Sequence, residues 1–125
     1  MKDADEYLAY VKALIIKNED VLRWNIVREE TQGNMELFRY RLVISDGSLL
    51  EMFERFKVVE SQTQVTKYSF HWQDSDGQLR KRWDNAAHYP EIQTYPYHLH
   101  EGDEENVLPH PPVDVENILR FISTE

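Results

Sequence analysis

Cysteine is absent from this sequence. That excludes a disulfide scaffold, a thiolate metal site and a cysteine nucleophile. Long apolar runs are missing too, and nothing nears the ~18 residues that a membrane-crossing helix needs. The opening MKDADEYLAY is acidic where a secretory leader is basic, so a cytoplasmic protein with no membrane span is expected. Positive charge is scarce, with 14 Lys and Arg against 23 Asp and Glu and a formal net charge of −9. Over the whole chain that deficit argues against nucleic acid as a partner. What is present, 41% hydrophobic residues in 125 positions, suffices for one core, and one domain over 1–125 is expected.

The deficit is uneven. Residues 1–36 carry 5 basic and 8 acidic groups, residues 37–84 carry 8 and 7, and residues 85–125 carry 1 and 8. The ends are acidic and the middle is balanced. A first helix starts at Asp3, with Glu6 three residues on as in a capping box and Tyr7, Leu8, Val11, Leu14 and Ile15 at helical spacing. A first strand follows over 24–30. Period-2 alternation then places Phe38, Tyr40, Leu42 and Ile44 on one face. Leu50, Met52, Phe56 and Val58 share the next, then Tyr68, Phe70 and Trp72, then Leu79 and Trp83. Turns fall at 46–48, 60–62 and 74–77. Glu54 breaks the alternation, which suggests an edge or a bulge. A last helix opens at Pro112 or Asp114, with Val115, Ile118, Leu119 and Ile122 on one stripe. The fold class is α+β: an antiparallel meander of about five strands with the N- and C-terminal helices on one face.

The opposite sheet face then collects Arg39, Arg41, Arg55, Lys57, Lys67, His71, Arg80 and Arg82, with seven of the 14 basic side chains among them. Exposed strand positions often carry Lys or Arg simply to protect sheet edges. Across four neighbouring strands, however, such charges repel, and an anionic ligand such as an RNA backbone relieves them.

Histidine concentrates just after this face. His88, His98 and His100 fall within 13 residues, among Pro90, Pro96, Tyr89, Tyr95 and Tyr97. The prolines make this a shaped loop rather than a helix. His98 and His100, two apart in an extended stretch, point to the same side. Three readings stand. The rings could build a small loop core. The H-x-H pair with His88 and Asp84 could bind a metal. Or paired imidazoles could act as acid and base beside phosphate-binding arginines, with a tyrosine such as Tyr68 assisting, as metal-independent RNA cleavage requires.

Arg82-Trp83-Asp84-Asn85-x-x-His88-Tyr89-Pro90-Glu91 followed by Tyr95-Pro96-x-His98-x-His100 resembles the signature of the TumE family, toxins of prokaryotic type II toxin–antitoxin pairs. The strand at 68–73 and the Asp76-Gly77 turn are similar as well, so the resemblance covers roughly 35–122, with its signature at 82–100. Tyr89 and Tyr97 stand where relatives commonly carry histidine. The resemblance implies a cytosolic toxin neutralised by an antitoxin with a helix-turn-helix DNA-binding domain. Together these readings give a toxin acting as a metal-independent endoribonuclease without a cofactor. His88, His98, His100, Asp84 and Tyr68 are its catalytic candidates, and RNA is its substrate. A non-enzymatic module that binds nucleic acid or protein, a metal hydrolase and a homodimer remain open. The acidic run Glu101 to Glu105 reads either as a solvated loop or as a nucleic-acid mimic resting on the basic surface.

Overall fold

The computed structural model describes residues 3–124. Helix α1 (Ala4–Lys17) begins as its capping box predicts: Asp3 caps it, the side chain accepting from the Glu6 amide at 2.8 Å. Tyr7, Val11 and Ile15 form its buried stripe. Seven strands follow: β1 (Val21–Gln32), β2 (Met35–Ile44), β3 (Leu49–Val59), β4 (Gln62–Gln73), β5 (Leu79–Asp84), β6 (His98–Glu101) and β7 (Val107–Pro109). They lie in chain order in one antiparallel sheet. Helix α2 (Val115–Thr124) closes the chain; the Asp114 carboxylate accepts from the Asn117 amide at 2.8 Å at its start, and Val115, Ile118, Leu119 and Ile122 are buried.

Both helices cover the face that the alternation marked as apolar. Phe38, Tyr40, Leu42, Leu50, Met52, Phe56, Phe70, Trp72 and Trp83 make one cluster with the two helical stripes. Each large side chain so buried contributes roughly 1.5–3 kcal/mol. Asn18 ties the helices together, its amide donating to the Leu119 carbonyl and the Ser123 hydroxyl.

The expected count of about five strands is corrected to seven, because the supposed loop after Tyr97 ends in β6 and β7, of four and three residues. Two positions also depart from simple alternation. Glu54 is neither at an edge nor in a bulge of its own strand. It points into the core from β3, fully buried, and accepts from the Tyr7 hydroxyl at 2.5 Å. The nearby bulge is on β4, where Thr66 is skipped between the pairs Arg55–Lys67 and Phe56–Val65. On β5 the register shifts at Arg80, so that Lys81 lies opposite Trp72 while Leu79 lies opposite Gln73. Leu79 therefore does not share the face of Trp83.

Candidate functional site

The helix-free face of the sheet is a floor of paired residues. Arg39 lies opposite Phe53, which lies opposite Ser69, which lies opposite Asp84, which lies opposite His98. One row over, Glu51 faces His71, His71 faces Arg82 and Arg82 faces His100. Paired residues of antiparallel strands share a face, so the register alone brings Asp84, His98 and His100 to one end of the basic surface.

Asp84 is the hub of that end. Its Oδ1 lies 2.8 Å from His98 Nε2 and accepts from the Ala86 amide at 3.1 Å. Its Oδ2 accepts from Arg82 Nε at 3.1 Å and lies 3.6 Å from His100 Nε2. All three residues are buried, Asp84 at 7% exposure and the histidines at 3% and 2%. The far nitrogens are anchored: His98 Nδ1 donates to the Pro96 carbonyl at 2.9 Å and His100 Nδ1 to the Glu104 carbonyl at 2.7 Å. Tyr89 packs over both rings, 5.1 Å from that of His98 and 6.1 Å from that of His100. Asn85 fixes the end of β5 against the β4 bulge, accepting from the Tyr68 amide and donating to the Thr66 carbonyl.

Beside the hub runs a groove of about 390 Å³ lined by Arg28, Arg39, Phe53, Lys67, Ser69, Arg82 and Asp84 among others. Asp84 lines this groove, whereas His98 and His100 do not. Arg39 rests over the Phe53 ring at 4.7 Å and pairs with Glu51 at 2.7 Å. Arg55, Lys57 and Lys67 carry no ion pair among the described residues.

A family model described as Toxin TumE matches residues 11–125. The chain belongs to the TumE toxin family. No curated protein and no solved structure matches it. In this TumE chain the match runs wider than the 35–122 of the sequence resemblance, taking in α1 from Val11 onward as well as the whole sheet. At the signature, Tyr89 covers the His98–His100 pair, and Tyr97 stacks on Tyr68 at 6.3 Å with an 8° tilt.

Against that frame of strands the expected residues sort clearly. Arg39, Arg41, Arg55, Lys57, Lys67, His71 and Arg82 share the helix-free face. Arg80 does not join them: the bulge turns it to Asp46, at 2.9 Å, and to Asp74, with its guanidinium 4.8 Å over the Trp72 ring. His71 lines a neighbouring depression with Arg41, Glu51 and Gln73 and bonds Gln73. His88 is exposed, and it stands outside the group that Asp84, His98 and His100 form. Tyr68 is among the residues that line the groove, but it packs into the core on the helix side, and burial pushes its hydroxyl up to about 12. Sequence reasoning missed Arg28, because a bulge at Val27 rephases β1 before it reaches Arg39. It gave Glu104 no role of its own, yet the Glu104 carboxylate pairs with Arg82 at 3.1 Å and its carbonyl holds His100. The acidic run is thus part solvated turn, part lid on the arginine of the site.

Proposed function

We propose that this toxin cleaves RNA, with the groove holding the backbone and the Asp84 cluster acting on the phosphodiester, and that a helix-turn-helix antitoxin protein silences it. The observation that carries the reading is the double position of Asp84, which is a wall of the basic groove and also the hub of two anchored imidazoles. A phosphate seated between Arg39, Lys67 and Arg82 has its charge met by cations as a phosphorane forms. The ribose 2′-oxygen attacks phosphorus and its proton passes to the Asp84 carboxylate. The bond from phosphorus to the 5′-oxygen breaks, that oxygen takes a proton from water, and the hydroxide left takes back the proton held by Asp84. The products are a cyclic phosphate and a free 5′-hydroxyl. Arg82, which donates from Nε to the carboxylate, acts as a positioning residue that fixes it in the geometry proton transfer needs.

Induction in cells, with RNA ends mapped afterwards, tests the reading. Parent chain is expected to arrest growth and create new RNA ends, and co-expression of the antitoxin to prevent both. Asp84→Asn keeps the shape of the hub but removes the base, and is expected to lower cleavage by ~10²–10⁴-fold. Exposed His88 is dispensable, so His88→Ala remains toxic. A folded Asp84→Asn chain that arrests growth like the parent would refute the reading, as would arrest with no new RNA ends.

A further inference from the structure

Asp84, His98 and His100 each offer a ligand atom within 4.8 Å of the others, and all three side chains are buried. Where their hydrogens lie decides what these atoms can do. A carbonyl oxygen only accepts, so the bonds to the Pro96 and Glu104 carbonyls place a hydrogen on Nδ1 of both rings. A neutral ring is then left with a bare lone pair on Nε2. Both Nε2 atoms turn to the same carboxylate, 2.8 Å from Oδ1 and 3.6 Å from Oδ2. Lone pairs that close repel unless positive charge lies among them. Arg82 supplies some of it, with Nη2 3.3 Å from His100 Nε2 and Nε 3.1 Å from Asp84 Oδ2. Those contacts leave His98 Nε2 with no cation beside it among the described residues, a place that a second ring proton or a metal ion fills.

We propose that Asp84, His98 and His100 bind a divalent first-row transition ion, with zinc the preferred occupant. Metal-ligating histidines are held in this way, one ring nitrogen donating to a backbone carbonyl while the other faces the ion. Two imidazoles and one carboxylate suit zinc or manganese, whereas magnesium favours oxygen ligands and retained water. Three protein ligands leave coordination positions for water or a phosphate oxygen, and Asp84 lies at the groove wall where either arrives. For the ion to take His100 Nε2, Arg82 gives up its contact there at 3.3 Å, and Glu104 keeps its guanidinium from the other side at 3.1 Å. Binding rests on the ligand geometry alone; any catalytic part for the ion rests on the ribonuclease reading above.

The test uses the full chain, stripped with a chelator, dialysed and titrated with Zn²⁺, Mn²⁺ or Mg²⁺ by calorimetry, with thermal unfolding read in parallel. One Zn²⁺ per chain is expected. At a hundredfold excess over its dissociation constant Zn²⁺ raises Tm by about 10 °C. Mg²⁺ at the same concentration leaves Tm unchanged. Asp84→Asn and His100→Gln each weaken Zn²⁺ binding by at least tenfold, and His88→Ala binds as the parent does. Removing a buried imidazole can unfold a chain, so Co²⁺ provides a second measurement on the unaltered protein: its visible absorption bands appear on binding and vanish when Zn²⁺ is added. A folded parent chain that takes up none of these transition ions overturns the proposal, and so does uptake unchanged in both Asp84→Asn and His100→Gln. RNA cleavage is followed in the same samples. Ion uptake without cleavage keeps the site and sinks the ribonuclease reading; cleavage without uptake does the reverse.

Discussion

Glu54 has been taken out of water in the middle of β3; among the described residues it has one side-chain hydrogen bond, from Tyr7, and its Oε2 has no partner. Burial pushes its carboxyl up to about 7, the Tyr7 hydroxyl pulls it back in part, and the charge of Asp114 adds to the rise. Below the ordinary glutamate range the group is protonated in folded and unfolded chains alike, and its neutral burial is cheapest. As pH rises from about 4.5 to 7 the unfolded chain gives up this proton while the folded chain keeps it, so stability falls. Above pH 7 the loss is complete, at about 3 kcal/mol. Glu54→Gln keeps an acceptor for Tyr7 and has no proton to lose. Urea unfolding of the two chains between pH 4 and 8 is expected to show the parent losing stability relative to the variant by about 2–3 kcal/mol. Curves that stay parallel over that range would exclude Glu54 as the group responsible.

At the scale of elements, one hairpin stands apart. The turn between β3 and β4 is two residues long, and both, Glu60 at φ 51° and Ser61 at φ 64°, sit in the left-handed region. The chain's glycines occupy the positive-φ positions of other turns, so this one carries its strain on ordinary side chains. Asn-Gly is the pair that such a turn favours. The double replacement Glu60→Asn with Ser61→Gly is expected to stabilise the fold by about 1 kcal/mol, a rise of about 4 °C in Tm. A melt that does not move would mean that the turn relaxes at no cost. The elements differ in how plainly the sequence announces them. Phe38 through Ile44 and Val115 through Ile122 carry periods of two and of 3.6, and their burial follows the pattern. Strands β6 and β7 are too short to show a period, contain polar or proline residues, and exist because β5 offers them an edge. Bulges at Val27, Thr66 and Arg80 leave no mark in composition, which is why Arg28 went unseen and Arg80 was expected beside Arg82. The H-x-H spacing and Asp84 were legible as residue types. Their grouping was expected together with His88, and which of them meet was not legible, since it needs the β5–β6 register that puts Asp84 opposite His98. Glu54 looked like a break in the pattern because its partner is 47 positions away.

Over the whole molecule, a net charge of −9 coexists with a face on which the cations are unevenly committed. Glu51 alone engages two of them, Arg39 at 2.7 Å and Arg41 at 3.2 Å, and Asp84 and Glu104 share Arg82. Arg55, Lys57 and Lys67 are uncommitted among the described residues. A single strand whose phosphates exchange their counterions for those three groups changes log K with log salt by about −2, from roughly −0.7 per phosphate neutralised. Its affinity then falls by about tenfold to twentyfold between 50 and 200 mM salt. Glu51→Gln releases two more arginines without touching the Asp84 cluster, which steepens the slope to about −3.5 and tightens binding at low salt. The measurement is fluorescence anisotropy of a labelled oligoribonucleotide at a series of salt concentrations, with Asp84→Asn as background so that no strand is cut. Equal slopes with and without the Glu51 carboxylate would mean that RNA does not lie along Arg39 and Arg41. A flat profile in both would mean that this face does not take a phosphate backbone at all. A negative molecule can hold RNA only where its carboxylates leave cations over, and the salt slope counts how many are left.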